Sequence, residues 1–203
     1  MNVFITGASG GLGRALAAEC AKRGYNLYLT DINGRVLEAF AEGIKRLYPV
    51  SVYTYACDLK SEAEVNAMAK NLSGTEIDML MNVAGIDFEG GFKTRNINDI
   101  LSIVQVNVEA VLRITYEILK LRNAGKNFKI LFVSSLASMF PIPLKATYAA
   151  TKRFLLDFAT SLRQELKYEN VSILTLCPGG LATNPSALEG IVAQGFWGSA
   201  TAN

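Results

Sequence analysis

The chain has 203 residues, half of them hydrophobic, a formal net charge of +2 and no histidine. That composition supports one sizeable core, so residues 1–203 are read as a single domain. Without histidine there is no Ser-His-Asp hydrolysis, no Cys-His nucleophile and almost no ordinary zinc site, so no metal site is expected. Scattered basic residues leave no nucleic-acid footprint, and no apolar run reaches the roughly 18 residues of a membrane span. The first strand starts too early for a signal peptide, which points to the cytoplasm. Cys20, Cys57 and Cys177 are odd in number and sit in apolar segments, as reduced core thiols do.

In chain order, residues 2–7 read as a short buried strand that runs into a glycine-rich turn at Gly7, Gly10, Gly11 and Gly13 and then a helix from Arg14 to Lys22. Strand, glycine turn and helix together form a dinucleotide-binding arrangement. The glycines let the backbone approach a pyrophosphate, which rests on the amides and dipole of the helix N-terminus. There follow a strand at 26–30, a helix at 35–47, a strand at 50–56, a helix at 61–72 and a strand at 77–82. A long helix within 98–122, a strand at 129–134, a helix from about 146 to 168 and a strand at 171–176 complete the pattern. Six strands alternating with helices predict an α/β fold, a doubly wound parallel sheet between two helical layers. Ligands in such sheets bind at the carboxyl ends of the strands, where the strand order reverses.

The unusual residues fall at those ends. Asp31 closes the second strand, where a carboxylate accepts hydrogen bonds from the adenosine ribose of NAD and repels the extra phosphate of NADP. It equally suits the turn into the next helix, and Arg14 and Arg35 are alternative partners for a 2′-phosphate. Asp58 and Leu59 close the third strand, where Asp58 either reaches the adenine or caps the following helix. Asn82 to Gly85 are small residues that let a backbone pass close. Tyr148 and Lys152 are one helical turn apart on one face, so an ammonium would favour the ionised phenol. A phenol whose pKa is brought down from about 10 can give or take a proton near neutrality. Taken one at a time, Ser135 also suits a plain strand end, and Asn107 a helix residue that bonds the backbone.

Taken in order, these motifs resemble those of the short-chain dehydrogenase/reductase family from about Asn2 to Thr183. The cofactor turn is Thr6 to Gly13, including Ser9 and Leu12; the adenine element is Asp58-Leu59; the Asn-x-Ala-Gly element is Asn82, Ala84 and Gly85. The mid-helix Asn is Asn107, the Ser 13 residues before the Tyr is Ser135, and Pro178, Gly179 and Thr183 form the last element. Residues 139–144 and 152–158 resemble members that reduce acyl or steroid ketones. The resemblance implies hydride transfer between NAD(H), or NADP(H) as the alternative, and a carbonyl or secondary alcohol. In it Ser135 orients the substrate oxygen, Tyr148 is the general acid/base, and Lys152 lowers the phenol pKa and bonds the nicotinamide ribose. Asn107 holds a relay water, and Thr183 anchors the carboxamide.

Members normally continue past the Pro-Gly element to a covering helix pair and a seventh strand. Here 184–203 would form only a partial, mobile substrate loop, and the sheet would lack its seventh strand. Binding of NAD(H) with little turnover, as in a sensor module, is therefore the rival reading. The apolar stretch from Leu136 to Leu144 predicts a hydrophobic carbonyl or alcohol substrate. A homodimer or homotetramer is expected through the two long helices, with Val108, Val111, Phe154 and Phe158 on the contact face.

Overall fold

Val3, Phe4 and Ile5 point to alternate sides of strand β1 (Asn2–Thr6), and all three are fully buried, so both faces of the sheet are covered. The computed structural model describes residues 1–180. Around β1 lie β2 (Asn26–Asp31), β3 (Val52–Ala56), β4 (Met79–Asn82), β5 (Phe128–Val133) and β6 (Val171–Leu176). Every pairing is parallel, and the order is β3-β2-β1-β4-β5-β6. The reversal between β1 and β4 opens the crevice in which such sheets hold ligands.

One core lies under α1 (Gly11–Lys22) and α2 (Gly34–Leu47), where Ala17, Cys20, Leu37 and Ile44 meet Val3, Ile5, Leu27 and Leu29. The other lies under α3 (Glu62–Asn71), α5 (Ala110–Leu119) and α6 (Ala146–Glu165), where Val65, Ile114 and Leu155 meet Phe4, Leu80, Ile130 and Phe132. The alternating strand residues separate cleanly between these cores, giving the three-layer Rossmann-like fold expected from the pattern. Among the described residues, β6 is an edge strand. Thr183 and the 184–203 segment lie outside the described residues.

The largest departure from the expected elements is in the long helix. It runs unbroken but is not α-helical throughout, comprising α4 (Ile97–Val104), a π-helical turn at Gln105–Glu109 and α5. A π turn widens the helix by one residue and re-aims the side chains within it, and such turns favour functional sites. The expected contact face also needs correction. Val111 is buried, and Phe158 packs on the core and edge-on against Phe132. Phe154, as expected, is exposed, and with it on these helices are Leu101, Leu112 and Tyr116.

Candidate active site

The crevice at the strand-order switch is a cavity of about 610 Å³. Its floor is the glycine turn. Gly7 has a φ of +65°, and a Cβ there would lie 2.8 Å from the N and Cα of Ala84. At Gly13 a Cβ would fall 2.1 Å from the Gly7 carbonyl oxygen, so the turn and the first helical turn can cross only as glycines. Gly10 caps α1 without any side-chain hydrogen bond, and no acidic residue occupies the first turn. The open amides and positive dipole there face the cavity wall formed by Gly10, Gly11, Leu12 and Gly13. A tight glycine turn that leads into a helix start with no side-chain cap fits the pyrophosphate of a dinucleotide.

The two acidic residues also meet this cavity, and neither caps a helix. Asn33 caps α2 by accepting from the Val36 amide, 3.2 Å away, and Ser61 caps α3 by accepting from the Glu64 amide at 3.3 Å. Asp31 is left to accept from the Ser9 amide at 3.0 Å and the Asn33 amide at 3.2 Å. It therefore ties the glycine turn to the end of β2 while lining the crevice. Asp58 accepts from the Lys60 amide at 3.0 Å and lines the crevice beside Leu59, as do Ala84 and Gly85 just past the end of β4.

Some expected cofactor residues act from behind this wall. The Thr6 hydroxyl accepts from the amides of Val83 and Ala84, at 3.0 and 3.1 Å, fastening β1 to the end of β4. Asn82 is buried and donates to the Thr115 hydroxyl at 3.1 Å. The Pro178 carbonyl accepts from the Leu136 amide at 2.9 Å, joining the segment after β6, where Gly179 follows, to the loop after β5.

The expected catalytic residues converge at the end of β5. Ser135 caps a single 3₁₀ turn, Leu136–Ser138, accepting from the Ala137 amide at 3.2 Å, and its hydroxyl acts on the Tyr148 phenol of α6, drawing its pKa down. Lys152 is only 3% exposed; its Nζ donates to the Val133 carbonyl at 3.0 Å and lies 5.6 Å from the Tyr148 ring centre. The Ser134 hydroxyl donates to the Lys152 carbonyl at 2.6 Å. Asn107, on the π turn, is fully buried. Its Nδ2 donates to the Ile86 carbonyl at 3.0 Å and to the Thr151 hydroxyl at 3.1 Å, while its Oδ1 accepts from the Ile86 amide at 2.9 Å. It thus clamps the segment after β4 just past Gly85, where a Cβ would stand 3.0 Å from Lys152 Nζ and 3.3 Å from Asn107 Oδ1.

The electrostatics differ from expectation. Burial pushes the Tyr148 phenol above its ordinary value; the Ser135 hydrogen bond pulls it down, Asp87 pushes it up and Lys145 pulls it down. The Lys152 ammonium is itself desolvated and turned towards the Val133 carbonyl. Burial lowers Lys152 to about 8, with Asp87 acting in the opposite direction. Thr151, Asp87 and Lys145 thus belong to the site although no motif announced them. Thr151 had one faint sign, its place three residues after Tyr148, from where its hydroxyl donates to the Tyr148 carbonyl at 2.8 Å.

A family model described as short chain dehydrogenase matches residues 1–189. The chain belongs to the short-chain dehydrogenase family. It is 32% identical over 180 residues to a very-long-chain 3-oxoacyl-CoA reductase of Coprinopsis cinerea, a match covering 83% of this chain and 51% of that protein. It is 33% identical over 182 residues to the human 17-beta-hydroxysteroid dehydrogenase type 3, covering 88% and 58% respectively. This short-chain dehydrogenase chain thus spans about half the length of the curated relatives it matches. Among solved structures, a short-chain dehydrogenase from Sphingobium yanoikuyae in complex with NADPH superimposes with a TM-score of 0.84 at 27% identity, covering 89% of this chain and 71% of that one.

Proposed function

We propose that this protein reduces a hydrophobic carbonyl, or oxidises the matching secondary alcohol, with a nicotinamide dinucleotide as hydride partner. The observation that carries the reading is the convergence of Ser135, Tyr148 and Lys152 at the end of β5, in a sheet whose switch point holds a pyrophosphate cradle. A bound dinucleotide supplies the hydride for reduction or accepts it in oxidation. Each reduction adds that hydride to the carbonyl carbon and one proton to its oxygen. Ser135 orients the substrate oxygen. Tyr148 gives the proton in reduction and takes it in oxidation. Lys152, one turn on, would hold the nicotinamide ribose and carry positive charge beside the phenol below pH about 8. Asn107 is a positioning residue that fixes Ile86 and, through Thr151, the helix carrying Tyr148.

Gly7, Gly10, Gly11 and Gly13 would hold the pyrophosphate, Asp31 the adenosine ribose, and Asp58 and Leu59 the adenine. NAD(H) is the favoured dinucleotide because Asp31 places a carboxylate where the 2′-phosphate of NADP(H) would sit. Arg14, the nearby candidate for that phosphate, donates from its Nε to the Ser9 carbonyl at 2.7 Å. Leu136, Met139, Phe140 and Ile142 are large apolar residues exposed beyond the end of β5, which suits an acyl or steroid-like carbonyl compound. The exposed stripe of Leu101, Leu112, Tyr116 and Phe154 favours a dimer through the two helical segments, and the unpaired cysteines suit the cytoplasm. Tyr148→Phe tests the reading: dinucleotide binding by fluorescence should persist while kcat falls by roughly 10²- to 10⁴-fold. Unchanged turnover would remove Tyr148 from the reaction.

A further inference from the structure

A second cavity, of about 220 Å³, adjoins Tyr148, between the loop after β4, helix α4 and the start of α6. Phe88, Phe92, Ile100, Ile103 and Leu144 make its walls apolar. The charges around it cancel. Lys145 is paired with both Asp87 and Glu89. The Arg95 guanidinium lies over the Phe88 ring, 5.6 Å from its centre, and one of its terminal nitrogens donates to the Glu89 carbonyl. Two cations against two carboxylates leave no net charge to draw an ionic group, so the lining favours uncharged, apolar matter.

Ile100 and Ile103 are buried, whereas Phe88, Phe92 and Leu144 are exposed. Apolar surface left open beside a reactive phenol is surface that a bound apolar group would take out of water. Leu144 also holds a left-handed backbone, with φ +67°, which leucine seldom adopts, and its carbonyl accepts from the Gly90 amide at 2.9 Å. Strain of this kind persists only where the surroundings impose it, and it collects at ligand sites. Phe88 lines both this cavity and the dinucleotide crevice, so the two spaces share a wall.

We infer that this cavity gauges the length of the substrate: it takes one uncharged, unbranched aliphatic arm of a ketone, up to about seven carbons, while the carbonyl lies at Tyr148. The inference rests on the carbonyl-reducing reading and narrows it from acyl or steroid-like compounds to slim aliphatic ketones. The limit follows from size, since 220 Å³ holds about seven groups as large as a water or a methylene, and a fused-ring skeleton is far bulkier. The chemistry at the carbonyl is unchanged. One hydride passes from the reduced dinucleotide to the carbonyl carbon, one proton from Tyr148 to the oxygen, and the ketone leaves as a secondary alcohol.

The test uses the full chain with the methyl ketones from 2-butanone to 2-undecanone and with 6-oxoheptanoate. In the wild type kcat/KM should rise roughly fourfold with each added methylene and stop rising once the arm passes about seven carbons, at 2-nonanone. Ile103→Ala removes part of a wall and should move that break to longer arms. Leu144→Gly, whose residue suits the φ of +67°, should do the same, and it carries the measurement should Ile103→Ala not fold. The acid 6-oxoheptanoate, which matches 2-heptanone but for a carboxylate in place of the last methyl, should fall at least tenfold below it. A rise that continues to 2-undecanone, a break that neither variant moves, or an acid that equals 2-heptanone would overturn the inference. A second readout needs no turnover: on addition of 2-octanone, the methyl NMR signals of Ile100 and Ile103, assigned through Ile100→Val and Ile103→Val, should shift, and unmoved signals would overturn it. If the wild type consumes NADH or NADPH with none of the ketones, the oxidoreductase reading fails, and these signals alone decide whether the cavity takes an apolar arm.

Discussion

Replacing Lys152 with Met should make the protein more stable at neutral pH while disabling its site. The lysine is 3% exposed, and its Nζ has one protein partner, the Val133 carbonyl at 3.0 Å. Burial holds its folded pKa at about 8, against an ordinary value of 10.5. Between these values the unfolded chain binds more protons than the folded one, so this group's contribution to stability rises with pH across that window. Keeping the ammonium buried costs about 3 kcal/mol at pH 7 and about 1 kcal/mol at pH 10. A methionine of similar length avoids that cost and loses one hydrogen bond, worth about 1 kcal/mol. Lys152→Met is therefore expected to exceed the wild type by about 2 kcal/mol at pH 7 and to match it near pH 10. Urea unfolding of both proteins at the two pH values measures the difference, in which the other titrating groups largely cancel. A gap of equal size at both pH values, or a less stable variant at pH 7, would refute the argument that a desolvated charge is stored there.

Gly13→Ala would set a Cβ 2.1 Å from the Gly7 carbonyl, so the turn must move; a loss of about 1–3 kcal/mol in thermal unfolding, with impaired dinucleotide binding, is expected. Asn107→Leu strands the amide and carbonyl of Ile86 and should cost roughly 2–5 kcal/mol, with Asn107→Asp retaining part of the loss through its remaining acceptor; indistinguishable melting of all three proteins would discount the clamp. Asp31→Ala should weaken NADH relative to NADPH by about tenfold or more, and an unchanged ratio would free Asp31 from any part in dinucleotide choice. The same variant should lose some stability, since the carboxylate also holds the Ser9 and Asn33 amides.

Much of the fold was legible because its signals are local. Continuous apolar strands such as Ile130 to Val133 announce burial on both faces, and a glycine turn between strand and helix is a short-range steric requirement. Element boundaries moved by a few residues where hydrogen bonds end a strand early, as at Val50, whose amide bonds the Tyr48 carbonyl instead of the sheet. The π turn was illegible, since nothing in the composition of Gln105 to Glu109 distinguishes it from an α-helix. What holds it open is the bond between Asn107 and Ile86, 21 residues away.

The site divides along the same line. By itself the sequence determined which groups could do proton chemistry, because a chain without histidine that pairs Tyr148 with Lys152 on one helix face leaves few others. Only the tertiary structure decided their charges. Whether the phenol is held low or high depends on burial, on Ser135, and on Asp87 and Lys145, which act on Tyr148 from the loop after β4 and the start of α6. Desolvation is a property of everything packed around a group, and in a sheet that brings residues 85–89, 107 and 133–152 together no local spacing encodes it.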